Sequence, residues 1–342
     1  MQSRAASFVA RVTVAVVLAA APASAADFYA GKTIDLLIGG NVGGGYDIYA
    51  RAIGRHLGRF IPGAPAIVPK NQPGAGGARA ASLLYSVAPK DGSVIAAVFP
   101  GAIMGPLLEE QARPLFDPVR FRYLGSADNA TRVCITHARS RVRSFDDALV
   151  HKAIMGATAT GGSTRDYVLM HRKASGAMFE LVAGYRGSAD VLLAMERGEV
   201  DGICGLDWAS LKSQRPVWIR DKTVNVLLQV GLEPEPELSR LGVPPVWGTI
   251  RSEDDRKAVA LIVGQQVFGR PYLAPPGVPD GPIAILRTAF AATLRDADFL
   301  ADAERARIEI APTPGEKLQQ MVAELYATPP ATVERAKELI KP

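Results

Sequence analysis

The stretch TIDLLIGGNVGGGYD, residues 33–47, decides the fold class, because it passes from a buried-strand pattern into a glycine-rich turn. The apolar run 34–38 is typical of a strand that is covered on both faces. No regular element continues through the glycines that follow. Apolar side chains then recur along one face of a helix, at Tyr49, Ile53, Leu57 and Phe60. Asp47 stands where an N-cap belongs, so the sequence predicts a strand, a loop and a capped helix in that order.

The same unit returns along the chain, which predicts an α/β fold with parallel sheets covered by helices. Its second copy has a strand at 66–68, the turn NQPGAGG at 71–77 and a helix at 78–88. Further strands are predicted at 94–99, 133–136, 153–155, 179–183, 200–204 and 224–230, and further helices at 282–294 and within 314–340. The Pro- and Gly-rich segment 101–118 breaks this rhythm and is expected to be a connection.

Length and composition describe a folded chain with more than one domain. The 342 residues include 33 Gly and 25 Pro, a share below that of a low-complexity chain. At about 150 residues per domain, the length suggests two domains. Two cysteines and four histidines support neither a disulfide scaffold nor a histidine-rich site, so we predict no metal ion and no cofactor. The net charge of +5 gives no reason to expect nucleic acid as a partner.

Residues 1–25 have the pattern of a secretory signal peptide. Arg4 and Arg11 supply the positive start, the apolar stretch 12–21 is too short to span a bilayer, and the Ala-Ser-Ala at 23–25 fits the cleavage rule. A buried N-terminal helix is the less favoured alternative. Removal of 25 of the 342 residues would leave 317 and lower the net charge from +5 to +3. The sequence therefore predicts a soluble protein of the bacterial periplasm.

Glycine-rich loops that precede helices are candidate anion sites, because free backbone amides and the helix dipole favour negative charge there. The loop at 43–47 is not a nucleotide motif. The chain has no Gly-Lys-Ser/Thr tripeptide, and the GxGxxG spacing that starts at Gly43 and Gly45 reaches Ile48 instead of glycine. We favour an anion site over a simple tight turn at this loop.

A second candidate loop has the sequence TATGGST at 158–164. Ser163 and Asp166 stand three residues apart, as in a capping box, and this structural role is as well supported as contact with a ligand. Either way, other amides of the first helical turn stay free for an anion.

A third candidate loop is GYRGS at 184–188. Ser188 can cap the helix that runs to Glu196, and Tyr185 could present its hydroxyl to a ligand. Arg186 is better explained as a solvated surface charge than as a ligand clamp.

Sequence motifs for catalysis are missing. GxSxG, HExxH and CxxC do not occur, and the histidines share no ligand spacing. A dispersed triad stays open, in which Ser163 or Asp47 would act as nucleophile or base. We predict no enzyme activity and assign no catalytic residue.

Four motifs in this order resemble the Bug family, the solute receptors of tripartite tricarboxylate transporters. They are GGGYD at 43–47, VPKNQPGAGG at 68–77, GYRG at 184–187 and APPGVP at 274–279. The resemblance extends from about Gly31 to beyond residue 300. Its most specific part is the Asn-x-Pro-Gly-Ala-Gly-Gly run.

The resemblance implies a two-lobed, type II periplasmic-binding-protein fold whose lobes close on a carboxylate in the cleft between them. Lobe 1 is expected at 26–124 and 225–342, and lobe 2 at 125–224. The implied partners are a small carboxylate and the large and small membrane subunits of a transporter, with the receptor itself a monomer. The expected ligand-binding residues are Gly43, Gly44, Gly45, Tyr46, Asp47, Thr160, Gly162, Ser163, Thr164, Tyr185 and Gly187.

Two departures from the family pattern bear on the ligand. Gly39-Gly40-Asn41 replaces a Pro-Phe-like start of the first loop, and Arg165-Asp166 replaces a histidine that commonly follows the second Gly-Ser. Arg165 could meet a second carboxylate, although Asp166 as a cap is the simpler account. The ligand is therefore predicted only as a di- or tricarboxylate that could be aromatic.

Three questions stay open in the sequence. The protein could be an exported α/β enzyme acting on an acidic substrate, or a receptor that reports its ligand to a membrane sensor. Cys134 and Cys204 are each in a predicted strand of the second lobe, and export permits a bond between them. Because disulfide geometry is demanding, buried free thiols are favoured.

Overall fold

A computed structural model of the protein describes residues 28–108, 116–129, 131–158 and 162–342, so the predicted signal peptide lies outside the described residues. In chain order the strands are β1 Thr33–Ile38, β2 Ala66–Asn71, β3 Val94–Ala97, β4 Arg122–Ser126, β5 Arg132–His137, β6 Ala153–Thr158, β7 Phe179–Tyr185, β8 Gly202–Asp207, β9 Val224–Val230, β10 Pro271–Ala274 and β11 Thr313–Pro314. They form one sheet in the order β11-β4-β10-β3-β1-β2 and a second in the order β7-β6-β8-β5-β9.

Helices cover these sheets. The α-helices in the described residues are Gly45–Leu57, Ala78–Ser86, Pro100–Leu108, Phe145–Ala148, Ser163–Met170, Ser188–Arg197, Trp208–Gln214, Pro216–Arg220, Pro236–Arg240, Glu253–Gly264, Asp280–Thr293, Ala297–Arg305, Gly315–Tyr326 and Pro330–Ile340. Short 3₁₀ turns lie at Gly58–Phe60, Ala75–Gly77, Pro118–Arg120, Val246–Gly248 and Gln265–Phe268, and His171–Ser175 forms a π-helical turn.

The chain builds most of one sheet, then the other, and then returns. Strands β1 to β4 belong to the six-stranded sheet, β5 to β9 to the five-stranded sheet, and β10 and β11 complete the first. The predicted α/β class is confirmed, as is each strand predicted from an apolar run, with boundaries shifted by a few residues. The exact limits of the two lobes stay a prediction.

The prediction of parallel sheets is only partly right, because both sheets are mixed. β1 is parallel to β2 and β3, but β10 is antiparallel to β3 and β4. In the second sheet β6 is parallel to β7 and β8, whereas β5 is antiparallel to β8 and β9. The reversed strands are β5, which follows the first passage between the sheets, and β10 and β11, which follow the second.

The segment 101–118 is not simply a connection. Its first part belongs to the helix Pro100–Leu108, with Pro106 inside it. Burial of Ile103, Met104 and Leu107 against the core offsets the helix-breaking tendency of Pro and Gly. Sequence reasoning weighted the Pro and Gly content above this apolar burial.

The first helix packs as its apolar spacing predicts. Tyr49, Ile53 and Leu57 are buried in a cluster that includes Ile34 and Leu36 of β1. Among the described residues, no helix combines the length and the apolar character needed to cross a bilayer.

The two cysteines form a disulfide, so the favoured expectation of free thiols is wrong. Cys134 of β5 and Cys204 of β8 are direct partners in the antiparallel register. Side chains of directly opposed residues lie on the same face of a sheet, which brings the two sulfurs together. This pairing depends on the strand order, which was not available from the sequence.

Candidate ligand-binding site

Asp47 holds the first loop in shape, and its predicted N-cap role is wrong. The helix begins at Gly45 with Gly44 as the N-cap, so Asp47 is already in the first turn. Its Oδ2 accepts a hydrogen bond from the amide of Gly43 at 2.9 Å. Its Oδ1 accepts from Arg51 Nε at 2.8 Å and from Asn71 Nδ2 at 2.9 Å. The buried carboxylate of Asp47 is therefore occupied by protein donors.

The most specific sequence motif supports this loop from behind. Asn71, which begins the NQPGAGG turn, also donates to the carbonyl of Gly40 at 2.9 Å. Gly77, at the end of the turn, has φ +87°, and a Cβ there would lie 2.8 Å from the ring of Phe99. That ring stacks on Tyr46 with a centroid distance of 3.9 Å. The motif thus positions the first loop through packing and hydrogen bonds.

The first loop presents backbone amides. Within the described part of the chain, the amides of Gly45, Tyr46 and Asp47 have no hydrogen-bond acceptor, and no side chain caps the helix. The amides of Gly43 and Gly44 are used inside the loop, by Asp47 and by the carbonyl of Asn41. Three donors at the positive end of a 13-residue helix are thus free for an anion.

The hydroxyl of Tyr46 has a partner inside the protein. It donates to the carbonyl of Gly269 at 3.0 Å. Burial raises the pKa of Tyr46 to about 12, so the phenol stays neutral at physiological pH. The side chains of Tyr46 and Asp47 both have partners within the protein. These two residues of the first loop can therefore contact a ligand through their backbone amides.

The second loop ends in a helix that begins at Ser163, with Gly162 as the N-cap. The predicted capping box is wrong, because Ser163 is one position too late to cap. Its Oγ donates instead to the carbonyl of Gly205 at 3.1 Å. Asp166 pairs with Arg165, with Oδ1 and Nη1 2.9 Å apart. The amides of Ser163 and Thr164 have no acceptor among the described residues, which again leaves a helix N-terminus with free donors.

The other predicted residues of this loop have different outcomes. Thr160 lies outside the described residues. Thr164 Oγ1 accepts from the amide of Thr158 at 3.0 Å and contacts the Thr158 hydroxyl at 2.8 Å. Thr164 thus fastens the end of β6 to the helix, and its side chain is turned to the protein.

The third loop is more exposed. β7 extends through Tyr185, and Gly187 is the N-cap of the helix that begins at Ser188, so the predicted cap at Ser188 is wrong. The half-buried Tyr185 ring packs beside Gly156. Arg186 is 87% exposed and pairs with Asp190 at 3.5 Å, which confirms its interpretation as a solvated surface charge.

A charge cluster that the sequence did not indicate lies between the first two loops. Asp207, the last residue of β8, binds Arg132 Nε through Oδ1 at 3.0 Å and Arg270 Nη2 through Oδ2 at 3.2 Å. Arg270 Nη2 also donates to Ser210 Oγ at 3.2 Å. Arg132 and Arg270 are only 3% and 2% exposed. We call Arg132, Asp207 and Arg270 the arginine cluster.

The N-terminus of the first helix adjoins the arginine cluster, and that of the second lies against the strand that ends in Asp207. A Cβ placed on Gly45 would lie 3.5 Å from Arg270 Nη2 and 3.7 Å from Ser210 Oγ. On the other side, Gly205 precedes Asp207 by two residues, and a Cβ there would lie 2.5 Å from the carbonyl oxygen of Ser163. The described contacts do not link Tyr185 or Gly187 to the cluster. The structure therefore places the first loop beside the arginine cluster and the second loop beside the strand that ends in Asp207.

Aromatic rings and opposite charges keep the cluster ionised. The Arg270 guanidinium lies 4.2 Å from the ring centre of Tyr46 and 4.6 Å from that of Tyr49, in cation–π geometry. Burial acts to raise the pKa of Asp207, but Arg270 and Arg132 outweigh it and hold that pKa below the usual range. Burial acts to lower the pKa of both arginines, and the nearby tyrosines and Asp207 more than offset it.

Several polar atoms around the cluster have no partner. Among the described residues, Arg132 Nη1, Arg270 Nε and Asp128 Oδ2 are buried without a hydrogen bond. Asp128 is 3% exposed, and burial raises its pKa to about 6. Buried donors that lack an acceptor cost free energy, so these atoms mark a place where a further group can bind.

A potential metal-ligand set lies elsewhere, within the second sheet. The ligand atoms of Cys134, His171 and Cys204 lie within 4.8 Å of one another and all three residues are buried. Both sulfurs are joined in the disulfide, which leaves no thiolate to bind a cation. A separate pocket is lined by Leu124, Arg287, Phe290, Leu294, Thr313 and Glu316, among others, and by none of the predicted site residues.

Sequence comparison finds a limited likeness. No protein-family model matches the chain. A curated relative, the UPF0065 protein in the gbd 5' region of Cupriavidus necator, is 28% identical over 215 residues. That alignment covers 60% of this chain and 64% of the relative, slightly less than two thirds of its length.

Solved structures agree with this chain over most of its length. A protein of R. palustris solved with adipate has a TM-score of 0.67 and 18% identity, covering 91% of this chain and 97% of that one. MatC from Rhodopseudomonas palustris, solved with malate, has a TM-score of 0.65 and 17% identity, covering 91% and 99%. The periplasmic binding protein BugD has a TM-score of 0.65 and 19% identity, covering 91% and 98%.

These likenesses establish the fold. The chain has the two-lobed α/β fold of periplasmic solute-binding proteins, and its structural neighbours include a Bug protein. The resemblance stated from the sequence motifs is thereby confirmed for the fold.

Proposed function

We propose that the protein is a periplasmic receptor that binds a small organic carboxylate between its two lobes and delivers it to the membrane subunits of a tripartite tricarboxylate-type transporter. The observation that carries this proposal is the position of two helix N-termini with free amides, because Gly45 lies beside Arg270 and Ser163 lies against the strand that ends in Asp207. Backbone amides and guanidinium groups are both donors suited to a carboxylate.

The neighbours support the ligand class. Two of the similar structures were solved with the dicarboxylates malate and adipate. Their identity to this chain is below 20%, so the choice among mono-, di- and tricarboxylates has to come from this chain's own residues. A receptor role requires only that the ligand bind the closed arrangement of the lobes more tightly than the open one, which shifts the equilibrium toward closure.

The alternative of an exported enzyme loses its two candidate residues. Asp47 is occupied by Gly43, Arg51 and Asn71 and is not placed as a free base. The Ser163 hydroxyl donates a hydrogen bond to a backbone carbonyl. A carbonyl oxygen is not a base that could activate this serine as a nucleophile. Solute-binding proteins among the neighbours agree with a binding role.

Thermal-shift screening of the purified protein tests the proposal. We expect at least one acid from a panel of acetate, malate, adipate, citrate and terephthalate to raise the melting temperature, while amines and sugars of similar size do not. Stabilisation by amines or sugars with no response to any acid would contradict the receptor function. Neighbouring genes for a large and a small membrane subunit would separate transport from a sensor role.

A further inference from the structure

We propose that Arg132 and Arg270, which share Asp207 as a common partner, form the ionic anchor for one carboxylate group of the ligand. This inference rests on the proposed function and narrows its ligand class to acids with an ionised carboxylate at this point. It departs from a site made of backbone dipoles and hydroxyls alone.

Asp207 leaves part of the hydrogen-bonding capacity of Arg132 and Arg270 unused. An arginine has five N–H donors, and Asp207 takes one nitrogen of each guanidinium. Arg132 Nη1 and Arg270 Nε stay buried without any acceptor among the described residues. Buried donors of charged side chains normally have a hydrogen-bond acceptor. An additional oxygen ligand is the simplest group that supplies the missing acceptors here.

The charge of the arginine cluster also favours a bound acid. Two buried guanidinium groups bind Asp207, whose pKa they hold low, so one positive charge is left for another acid to balance. Asp128 is the other nearby acid, but burial raises its pKa to about 6, so it balances that charge poorly at mildly acidic pH. Lys212 and Glu309 pair with each other farther out. Burial of an uncompensated charge is costly, and a bound carboxylate would remove that cost.

The position of Arg270 beside the first helix also favours a bound carboxylate. The Arg270 guanidinium lies beside Gly45, at the first turn whose three amides are free. The rings of Tyr46 and Tyr49 face it on the same helix and restrict its movement. A carboxylate at this point can accept from backbone amides and from arginine together, and a planar guanidinium is suited to bidentate contact.

A purely structural role makes different predictions. In that case the arginines exist to neutralise Asp207, and substitution of either one changes stability without a specific effect on acids. An anchor instead requires that binding depend on the ligand's negative charge. It also requires that removing the charge of Asp207, which competes with the ligand for the arginines, should not weaken binding.

Isothermal titration with acetate, malate and adipate, each beside its uncharged amide, measures that dependence. For the acids that bind the wild-type protein, we expect Arg270→Gln and Arg132→Gln to weaken binding about 10- to 100-fold. Arg335→Gln, which breaks an Arg–Asp pair at 2.6 Å between the last helix and the helix Glu253–Gly264, should leave affinity within twofold. The amides should bind at least 10-fold more weakly than the acids.

Two further variants keep the test decisive if a glutamine variant does not fold. Arg270→Lys keeps the charge but loses the planar donor group, and intermediate affinity is expected. Asp207→Asn should bind acids at least as tightly as the wild type and gain more thermal stability from them. Folded variants, verified by circular dichroism, that bind acids as the wild type does would overturn the anchor and leave the receptor function standing. A wild-type protein that binds no acid would contradict both.

Discussion

Arg270 and Asp207 form a largely buried ion pair, with Nη2 and Oδ2 3.2 Å apart, that joins the ends of two interior strands, one from each sheet. Asp207 ends β8 of the five-stranded sheet, and Arg270 immediately precedes β10 of the six-stranded sheet. The pair adjoins the start of the helix Gly45–Leu57, because a Cβ placed on Gly45 would lie 3.5 Å from Arg270 Nη2. One interaction therefore connects both sheets with the candidate binding loop.

Replacement of Asp47 should destabilise the fold. Asp47→Ala removes the acceptor for Gly43, Arg51 and Asn71 in a buried setting, and we expect a loss of about 2–4 kcal/mol in the free energy of unfolding. Chemical denaturation measures it. The control is Asp35→Ala, whose ion pair with Lys70 is partly exposed and should cost less than about 1 kcal/mol. Equal losses in the two variants would contradict the structural role of Asp47.

Gly205 should tolerate no side chain. It has φ +78°, and a Cβ would lie 2.5 Å from the Ser163 carbonyl oxygen, so Gly205→Ala must displace the second helix N-terminus. Gly176→Ala is a matched control, because Gly176 has φ +77° with open space around it. We expect Gly205→Ala to cost at least about 2 kcal/mol more than the control and to weaken acid binding. Equal losses in the free energy of unfolding for the two variants would contradict the prediction that the Ser163 carbonyl excludes a side chain at Gly205.

His171 should make the protein sensitive to acid. Burial lowers its pKa to about 3, while the unfolded chain titrates near 6.5, so the unfolded state binds the extra proton first as the pH falls. This contribution to stability is full above about pH 6.5 and falls by about 1.4 kcal/mol per pH unit below it.

Comparison with His171→Phe isolates this effect, because the variant cannot take up the proton. His171 packs edge-on against Phe145 and Phe179, where a phenyl ring is compatible. The stability difference between wild type and variant should change steadily from pH 6.5 to 4, and a difference that stays constant over this range would contradict the prediction. The difference is needed because Asp128, with its pKa raised to about 6, acts oppositely and favours the folded state as the pH falls.

The disulfide should be detectable and stabilising. Thiol titration of the unreduced, denatured protein should find no free thiol, and two free thiols would contradict the bond. Cys134 and Cys204 are 70 residues apart, and a bond that closes so long a loop restricts the unfolded chain. We expect Cys134→Ala with Cys204→Ala to lower the free energy of unfolding by about 2–4 kcal/mol. The reduced wild type should behave similarly.

Local sequence patterns predicted the elements better than their ends. The apolar run at β1 and the helical spacing of Tyr49, Ile53 and Leu57 are confirmed. All three predicted side-chain caps, at Asp47, Ser163 and Ser188, are wrong because glycine takes the N-cap position each time. Ser163 and Ser188 each follow the glycine that takes the cap, whereas Asp47 lies three residues after its N-cap, Gly44, because the helix begins earlier than predicted.

The sequence by itself determined the α/β class, the glycine loops before helices and the likeness to Bug receptors, because each depends on residues that are neighbours along the chain. Only the tertiary structure decided the Cys134–Cys204 bond and the meeting of Arg132, Asp207 and Arg270. Within each of these two sets, the partners lie more than 60 positions apart in sequence, and no local pattern links them. Strand order and register bring them together, and burial then strengthens the interactions between their charges.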